Sequence, residues 1–236
     1  MLKIGCCGFP VAQERYFKQF STIEIQQSFY RTLGVKQVEN WRKKAPIYFE
    51  FVLKAPQYIT HFPNSPTYRR ADLPQEKRKY CGGFKLNTVI EQIMETFFDR
   101  AAILKAKKFV FQTPASFKPT AENINAMKCF FSYYKDKGIF IWEPRGKEWK
   151  PEIIKSICQK LNLIHAVDPF LYGPPVWGDF IYFRMHGNLK NYKYCYSDGE
   201  LRELLNIAGS SGYIMFNNSE MYKNALRLKE MLKELE

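Results

Sequence analysis

The sequence contains few histidines and none of the short motifs that mark common catalytic or metal centres. Its 236 residues include only three histidines, His61, His165 and His186. No Walker phosphate loop, GxSxG turn or HExxH helix occurs, and the six cysteines form no CxxC pair. A three-histidine metal site would need all three side chains. We predict that His165, which lies inside an apolar run, belongs to the core, so the sequence supports no such site.

Long hydrophobic runs are also missing. The longest, such as FVF and LNLI, are far too short to span a bilayer. The first residues, MLKIGCCGF, lead directly into a strand-like pattern, with no positively charged leader or cleavage site of a secretory signal. Together with cysteines that read as free thiols of a reducing compartment, this predicts a cytoplasmic protein with no membrane partner.

Acidic residues are scarce relative to basic ones. The chain has 36 Lys and Arg against 23 Asp and Glu, a formal charge of +13. Such a balance favours anionic partners. Most of the lysines are spread along helical segments, as on an ordinary solvated face, and only YRRADLPQEKRK, residues 68–79, forms a local basic cluster. We therefore predict an anionic small molecule as the partner, with nucleic acid as the alternative.

Short apolar segments recur along the chain at the spacing of a repeated strand and helix. Eight of them predict strands that are covered on both faces: 2–8, 21–30, 47–55, 108–114, 138–145, 163–169, 179–187 and 212–218. Helical patterns lie between most of them. The connection after the sixth strand, FLYGPPVWG, is too short and proline-rich for a good helix. The connection after the third, 56–87, is long enough for a lid.

This alternation predicts an α/β protein with a parallel sheet. Eight units indicate a single (β/α)8 TIM barrel over 1–236, a fold that usually needs roughly 250 residues. The barrel is expected to be irregular around strand six and to carry an insertion after strand three. A doubly wound open sheet is the alternative, but no GxGxxG follows the first strand.

Polar side chains cluster at the carboxyl ends of the predicted strands. In a barrel these ends meet at one rim, where the active sites of barrel enzymes lie. The sequence therefore predicts a polar pocket, and its candidate residues are Glu24, Tyr30, Lys54, His61, Gln112, Glu143, Arg145, Trp149, Asp168, Arg184, His186, Asn217 and Asn218.

Their chemistry suggests roles within such a pocket. Glu143 and His186 are the candidates for proton transfer. Arg145, Arg184 and Lys54 are donors that suit an oxyanion or phosphate, and the others are candidate substrate-binding residues. A structural alternative remains open, because the carboxylates can also neutralise these cations in a network across the barrel. Trp149 and Tyr30 can likewise pack rather than stack on a ligand.

Carboxylates and histidines near the same rim raise the question of a metal. A set formed by His61, His186, Glu143 and Asp168 can be proposed, but no ligand-spacing motif supports it. We predict no metal and no cofactor.

The strand-end residues also carry a family resemblance, which extends along nearly the whole chain. The sequence resembles the YecE-like proteins, domain of unknown function 72, a TIM-barrel group of bacteria and archaea. The matching elements are IEIQQSFY, Lys54 followed by Thr60-His61, FQTPASF, WEPRGKEW, Asp168, FRMHG and FNN. The chain departs from the family pattern at Gln26, where Asn is usual, at Gly146, where His is usual, and at Cys6-Cys7, where small or hydroxyl residues are common.

The resemblance implies the barrel fold but no established reaction. Three hypotheses for the function stay open at this stage. The first is an enzyme, for example a hydrolase or lyase, that acts on an anionic or phosphorylated substrate at the rim. The second is a nucleic-acid-binding or endonuclease-like barrel, and the third is a small-molecule binding module without turnover.

Overall fold

A computed structural model describes residues 1–188 and 193–234 of the chain. Eight parallel strands alternate with helices in it. The strands are β1 Leu2–Cys6, β2 Thr22–Ile25, β3 Glu50–Lys54, β4 Lys108–Gln112, β5 Ile139–Glu143, β6 Leu163–Val167, β7 Ile181–Met185 and β8 Gly212–Phe216. Their order in the sheet is β1-β8-β7-β6-β5-β4-β3-β2. A single bridge between Cys7 and Glu24 joins β1 to β2, and the predicted TIM barrel is confirmed.

The helices lie outside the barrel and over its carboxyl end. They are α1 Gln13–Gln19, α2 Gln27–Tyr30, α3 Val35–Lys44, α4 Gln57–Thr60, α5 Gln75–Arg78, α6 Thr88–Leu104, α7 Ala121–Tyr133, α8 Pro151–Leu161, α9 Pro169–Tyr172, α10 Asp198–Ala208 and α11 Met221–Glu234. Single 3₁₀ turns cover Pro66–Arg70 and Lys135–Lys137. Within the described residues, no helix combines the length and the apolar character that crossing a membrane requires.

Several predicted elements are longer than the corresponding elements of the structure. Each strand ends before its predicted limit, and 21–30 is only partly strand. Its second half is the one-turn helix α2, in which the Ser28 hydroxyl donates to the backbone carbonyls of Ile25 and Lys54. The connection after strand six contains only the single turn of α9, as expected of a segment too short and proline-rich for a good helix. Asp168 caps the single turn of α9 by accepting from the backbone N–H of Phe170.

Two apolar regions pack against the sheet. The larger lies between the strands and the surrounding helices and is rich in phenylalanine. The smaller fills the inside of the barrel with side chains from seven strand regions, including Val52, Val110, Ile141, Tyr182 and Met215. Because alternate residues of a strand point into the barrel, this inner layer fixes which residues further along each strand also point inward. Those residues form the rim described next.

The long connection 56–87 packs onto the barrel rather than extending into solvent. Tyr68 and Cys81 are buried, and Phe84 lies among the rings of the outer apolar region. The cationic side chains of the 68–79 cluster remain exposed, among them Arg69, Arg70, Lys77 and Lys79.

Candidate active site at the carboxyl rim

Arg184 lies at the centre of the polar groups that follow the inner apolar layer. Its Nε and Nη2 donate to the two carboxylate oxygens of Glu24 at 3.0 and 2.8 Å, and its Nη1 donates to Glu143. The guanidinium is fully buried. Arg184 therefore lies inside the barrel rather than at the point where β7 leaves the core, and its charge is compensated by two carboxylates.

Glu24 is held by further inward-facing groups. The Tyr182 hydroxyl donates to it at 2.8 Å, and the side-chain amide of Gln26 donates to its other oxygen. The thiol of Cys7 lies 4.0 Å from Arg184 Nη2. Burial raises the pKa of this thiol well above its usual value, so the cysteine is a neutral wall residue rather than a thiolate.

Glu143 is the second carboxylate and has two arginine partners. Arg145 Nη2 donates to Glu143 Oε1 at 2.8 Å, while Arg184 contacts the other oxygen. Burial by itself would raise the pKa of Glu143, but the two guanidiniums outweigh it and hold that pKa well below its usual range. Glu143 is therefore a permanent carboxylate. It stabilises positive charge and is a poor proton donor.

Lys54 has no such partner. Its Nζ donates to Gln112 Oε1 at 2.7 Å and lies 4.0 Å from the centroid of the Phe29 ring. Burial, followed by the charge of Arg184, lowers the pKa of Lys54 to about 7, although nearby carboxylates oppose the shift. At neutral pH a large fraction of this amine is uncharged.

His186 lies between an acid and a guanidinium. Its Nε2 is 2.7 Å from Arg145 Nη2, and its Nδ1 is 3.5 Å from Asp168 Oδ2. Because arginine can only donate, Nε2 accepts and the neutral ring carries its proton on Nδ1, facing Asp168. Asp168 also accepts from the backbone N–H of His186 at 2.7 Å, which holds the backbone of His186 beside this acid.

A cavity of about 560 Å³ adjoins this group of residues on the side of β5 and β6. Glu143 and Trp149 line it, together with Tyr172 and His165. His165 is buried, as predicted, and its Nδ1 accepts from the backbone N–H of Val176 at 3.2 Å. Its position in the wall of a cavity was not foreseen. The volume suits a small ligand.

The remaining candidate residues lie further from the centre or serve the fold. Trp149 donates from Nε1 to the carbonyl of Phe117 at 2.8 Å and stacks on that ring. His61 is buried against Phe29, and burial, followed by Lys54, lowers its pKa to about 4. Tyr30 is half-buried, with Arg70 over its ring.

The two asparagines after β8 differ in their surroundings. Asn217 is half-buried, and its backbone N–H extends the pairing with β7 by donating to the carbonyl of Met185. Asn218 is buried and uses its side-chain amide to hold the backbone of Tyr194 and the side chain of Asn224. Asn218 therefore has contacts typical of a structural residue.

Four side chains that contact the rim charges are absent from the predicted site: Gln26, described above, and Tyr182, Cys7 and Phe29. Tyr182 and Cys7 contact Glu24 and Arg184, and Phe29 covers the amine of Lys54. Tyr182 could have been found, since it precedes Arg184 by two positions and must share its face of the strand. Nothing in the sequence marks Cys7 or Phe29 as a neighbour of a charged group.

The ligand set for a metal that was considered from the sequence is not assembled. Within residues 1–188 and 193–234, no three His, Cys, Asp or Glu side chains converge closely enough to hold an ion. Glu24 and Glu143 already neutralise Arg184.

Comparison with known proteins places this geometry among related barrels. The model of the family described as "Protein of unknown function DUF72" matches residues 12–236. A DUF72 family protein of Enterococcus faecalis V583 superposes with a TM-score of 0.77 at 19% identity, covering 99% of this chain and 96% of its own. A DUF72 family protein of Thermotoga maritima MSB8 gives a TM-score of 0.70 at 21% identity, with 99% of both chains covered.

Similarity of fold extends beyond that family. The apo form of the 3-keto-D-glucoside 4-epimerase of E. coli superposes with a TM-score of 0.58 at 11% identity, covering 99% of this chain and 100% of its own. Identities this low establish the shared barrel and nothing about the reaction. Among curated protein sequences, none gives a significant match to this chain.

Proposed function

The chain belongs to the protein family of unknown function DUF72, and we propose that it is a barrel enzyme acting on a small anionic substrate at the carboxyl rim. The observation that carries this proposal is the position of Arg145. Its guanidinium joins Glu143, which lines the cavity, to His186, and its Nε has no hydrogen-bond partner among the described residues. A buried, unpaired N–H of a cation favours an oxyanion partner.

The start of α8 adds to the positive character of the same cavity. Pro151 and Ile154 of this helix lie in the cavity wall. No side chain caps the N-terminus of α8. The partial positive charge of a helix N-terminus favours a phosphate or carboxylate in its vicinity. Lys147 lines the cavity as well and adds a full charge.

His186 is the group best placed to transfer a proton. Asp168 lies 3.5 Å from its Nδ1, while the Arg145 contact keeps Nε2 as an acceptor at rest. Movement of Arg145 onto a bound anion frees Nε2 to take a proton from the substrate. This assignment gives the acid–base role to His186 and leaves Glu143 as the fixed negative charge that holds Arg145. It suits a hydrolase or a lyase.

The test is a pair of thermal-shift titrations with glucose 6-phosphate and with glucose. We expect the phosphate ester to raise Tm and the uncharged sugar to leave it unchanged. Arg145→Met should abolish the shift, whereas Lys160→Met, at an exposed position in the last turn of α8, should retain it. Equal shifts with both sugars, or a shift that survives Arg145→Met, would reject an anion site at Arg145.

Nucleic-acid binding is the second candidate, because the exposed cations of residues 68–79 lie next to the rim. Arg70 is placed over the Tyr30 ring, with its guanidinium carbon 5.4 Å from the centroid. The measurement is fluorescence anisotropy with random-sequence DNA between 50 and 200 mM salt. If this candidate is correct, affinity falls steeply with salt and is weakened by Arg69→Met with Arg70→Met. An affinity that changes neither with salt nor with these two substitutions would reject nucleic-acid binding.

A further inference from the structure

We propose that Lys54 is a nucleophile that attacks the carbonyl carbon of a small aldehyde or ketone and forms an imine. This inference rests on the proposed function, because it assigns a reactive group to the same rim and narrows the substrate to an anionic carbonyl compound.

The surroundings of Lys54 are those of an amine rather than of a structural cation. The side chain is inward-facing at the end of β3, and the residue is 5% exposed. Its two close partners are the neutral amide oxygen of Gln112 and the ring of Phe29. Gln112, which holds the amine, is itself half-buried and partly reaches solvent.

The carboxylates that could neutralise Lys54 are engaged elsewhere. Glu24 receives two N–H groups of Arg184, and Glu143 is shared between Arg184 and Arg145. Among the described residues, no carboxylate forms an ion pair with Lys54. A buried ammonium without a counter-ion is costly, and loss of the proton relieves that cost.

The opposite end of the barrel provides a direct contrast. Lys3 and Lys108 also point inward, and both pair with the carboxylate of Glu50. The same barrel therefore holds two lysines that are paired with an acid and one lysine to which the described residues offer no acid. This difference in partners, rather than burial alone, singles out Lys54.

The charged and titratable groups around Lys54 come from several elements. The positive charge of Arg184 on β7 disfavours the ammonium form of Lys54, whereas Glu143, Glu24 and Cys7 favour it. The charge of Lys54 in turn lowers the pKa of His61, which follows α4. Burial is the largest influence, and the resulting pKa of about 7 leaves a large neutral fraction at neutral pH. An ordinary lysine, with a pKa of about 10.4, has on the order of one neutral amine in a thousand there.

The covalent step is balanced without an oxidant, reductant or co-reactant. The lone pair of Nζ forms a bond to the carbonyl carbon, and the carbonyl oxygen takes up a proton. The nitrogen gives up one of its two protons, the hydroxyl takes a second proton and leaves as water, and the nitrogen lone pair forms the C=N bond of an imine that keeps one N–H proton. His186 is the proton carrier at this rim. The protonated imine withdraws electrons from the adjacent carbon bond, the requirement of a lyase of the Schiff-base type.

Reductive trapping followed by peptide mass mapping tests the proposal. Wild-type protein is incubated at pH 7 with dihydroxyacetone phosphate and sodium cyanoborohydride, which reduces an imine to a stable secondary amine. We expect one adduct on the peptide that contains Lys54, with Lys3 and Lys108 unmodified. Raising the pH should increase the trapping rate with a midpoint near 7. Lys54→Met should lose the adduct, and Lys108→Met should keep it.

The possible outcomes separate this inference from the proposed function. Adducts spread over the exposed lysines, with no preference for Lys54, would overturn the imine. So would the absence of any adduct on Lys54 while glucose 6-phosphate still raises Tm through Arg145; in that case the anion site stands without it. An adduct on Lys54 that forms equally well with uncharged dihydroxyacetone, without a phosphate-dependent shift, would support the nucleophile and reject the anionic substrate. The wild-type map needs no variant, so a folding defect in Lys54→Met does not affect the decision.

Discussion

Arg184 illustrates how one residue can hold the interior of the barrel together. It neutralises Glu24 and Glu143 at once, and all three side chains are buried. Replacing Arg184 by Met leaves two carboxylates in a low-dielectric interior without their shared cation. We expect Arg184→Met to lower the free energy of unfolding by about 3–5 kcal/mol. Urea denaturation at pH 7 measures it.

An exposed arginine provides the control for that substitution. Arg227 pairs with Asp198 at 2.7 Å on the surface, where water and salt screen the interaction. Arg227→Met should therefore cause no resolvable change in the urea midpoint. Equal losses in both variants would mean that the buried position of the Arg184 network contributes nothing.

Lys54 gives a prediction for pH dependence. Its pKa is about 7 in the folded protein and near the ordinary lysine value in the unfolded chain. Between these values the unfolded chain binds more protons, so stability rises with pH across that window and the burial penalty is largest below it. We expect Lys54→Met to be more stable than wild type at pH 6, with the difference falling towards pH 10 by roughly 1.4 kcal/mol per unit at most.

Urea midpoints at pH 6, 8 and 10 test this expectation. Lys108→Met is the matched comparison, because it removes an inward lysine that is paired with Glu50. That variant should be less stable than wild type at pH 6. A constant offset between Lys54→Met and wild type across the three pH values would contradict a lowered pKa.

At the residue scale, the sequence predicted which side chains belong to the rim better than it predicted their partners. The alternation of β7 places Arg184 on the inward face together with Tyr182. It does not reveal that Glu24, 160 positions away, occupies two of its N–H groups. Such pairings depend on the shear of the closed barrel, which brings distant strand ends together and leaves no local signal in the chain.

The seam between β1 and β2, where the barrel closes, has the weakest pairing of any two neighbouring strands in the barrel. The side chain of Tyr16 adds a connection there. The Tyr16 hydroxyl accepts from the backbone N–H of Cys6 at 2.8 Å and donates to the carbonyl of Thr22 at 2.9 Å. It thereby connects the two strands where no ladder bond does. Gly5 allows this close approach, because a Cβ there would lie 2.7 Å from the Thr22 carbonyl oxygen.

Tyr16→Phe should open that seam. Both backbone groups are buried, and each loses its partner, at about 1–3 kcal/mol apiece. We expect a total loss of about 2–6 kcal/mol in the free energy of unfolding. Faster native-state hydrogen exchange at Cys6 should accompany it, with no matching change in β4 and β5.

Tyr133→Phe is the control for the loss of a hydroxyl, since Tyr133 is 61% exposed on α7. It should leave both the stability and the exchange pattern unchanged. If Tyr16→Phe accelerates exchange uniformly over the sheet, the hydroxyl stabilises the whole fold rather than the seam.

Elements were predicted well in type and less well in length. The helices α3 and α10 lie between predicted strands, where helical patterns were expected, because an amphipathic repeat with clear end signals is a local property. The segment 21–30 was predicted as one strand, because its pattern of apolar and polar residues fits one long strand as well as a strand followed by a short helix. Its turn into α2 is decided by the Ser28 contact with the carbonyl of Lys54, a residue of another strand.

At the scale of the whole molecule, the barrel interior consists of two polar layers separated by an apolar one. The layer at the amino ends contains Glu50, which accepts from Lys3, Lys108 and the hydroxyl of Tyr213. The layer at the carboxyl ends contains the rim. The apolar residues between them, such as Val110 and Met215, separate the charged groups of the two layers, while the rings of Tyr182 and Tyr213 pack against each other across this boundary. Each layer can therefore be altered without the other.

This separation predicts opposite phenotypes for two substitutions. Glu50→Gln removes the charge that holds two lysines in a partly exposed layer, and we expect it to cost about 1 kcal/mol in unfolding free energy. It should leave the Tm increase caused by glucose 6-phosphate intact.

Arg145→Met should abolish that ligand response while changing the free energy of unfolding less than Arg184→Met does, because Glu143 keeps its second arginine. The measurements are the free energy of unfolding and the Tm increase with glucose 6-phosphate, each in both variants. Loss of the ligand response in Glu50→Gln would mean that the two ends of the barrel are coupled through the apolar layer, contrary to a rigid interior in which binding depends on the carboxyl rim alone.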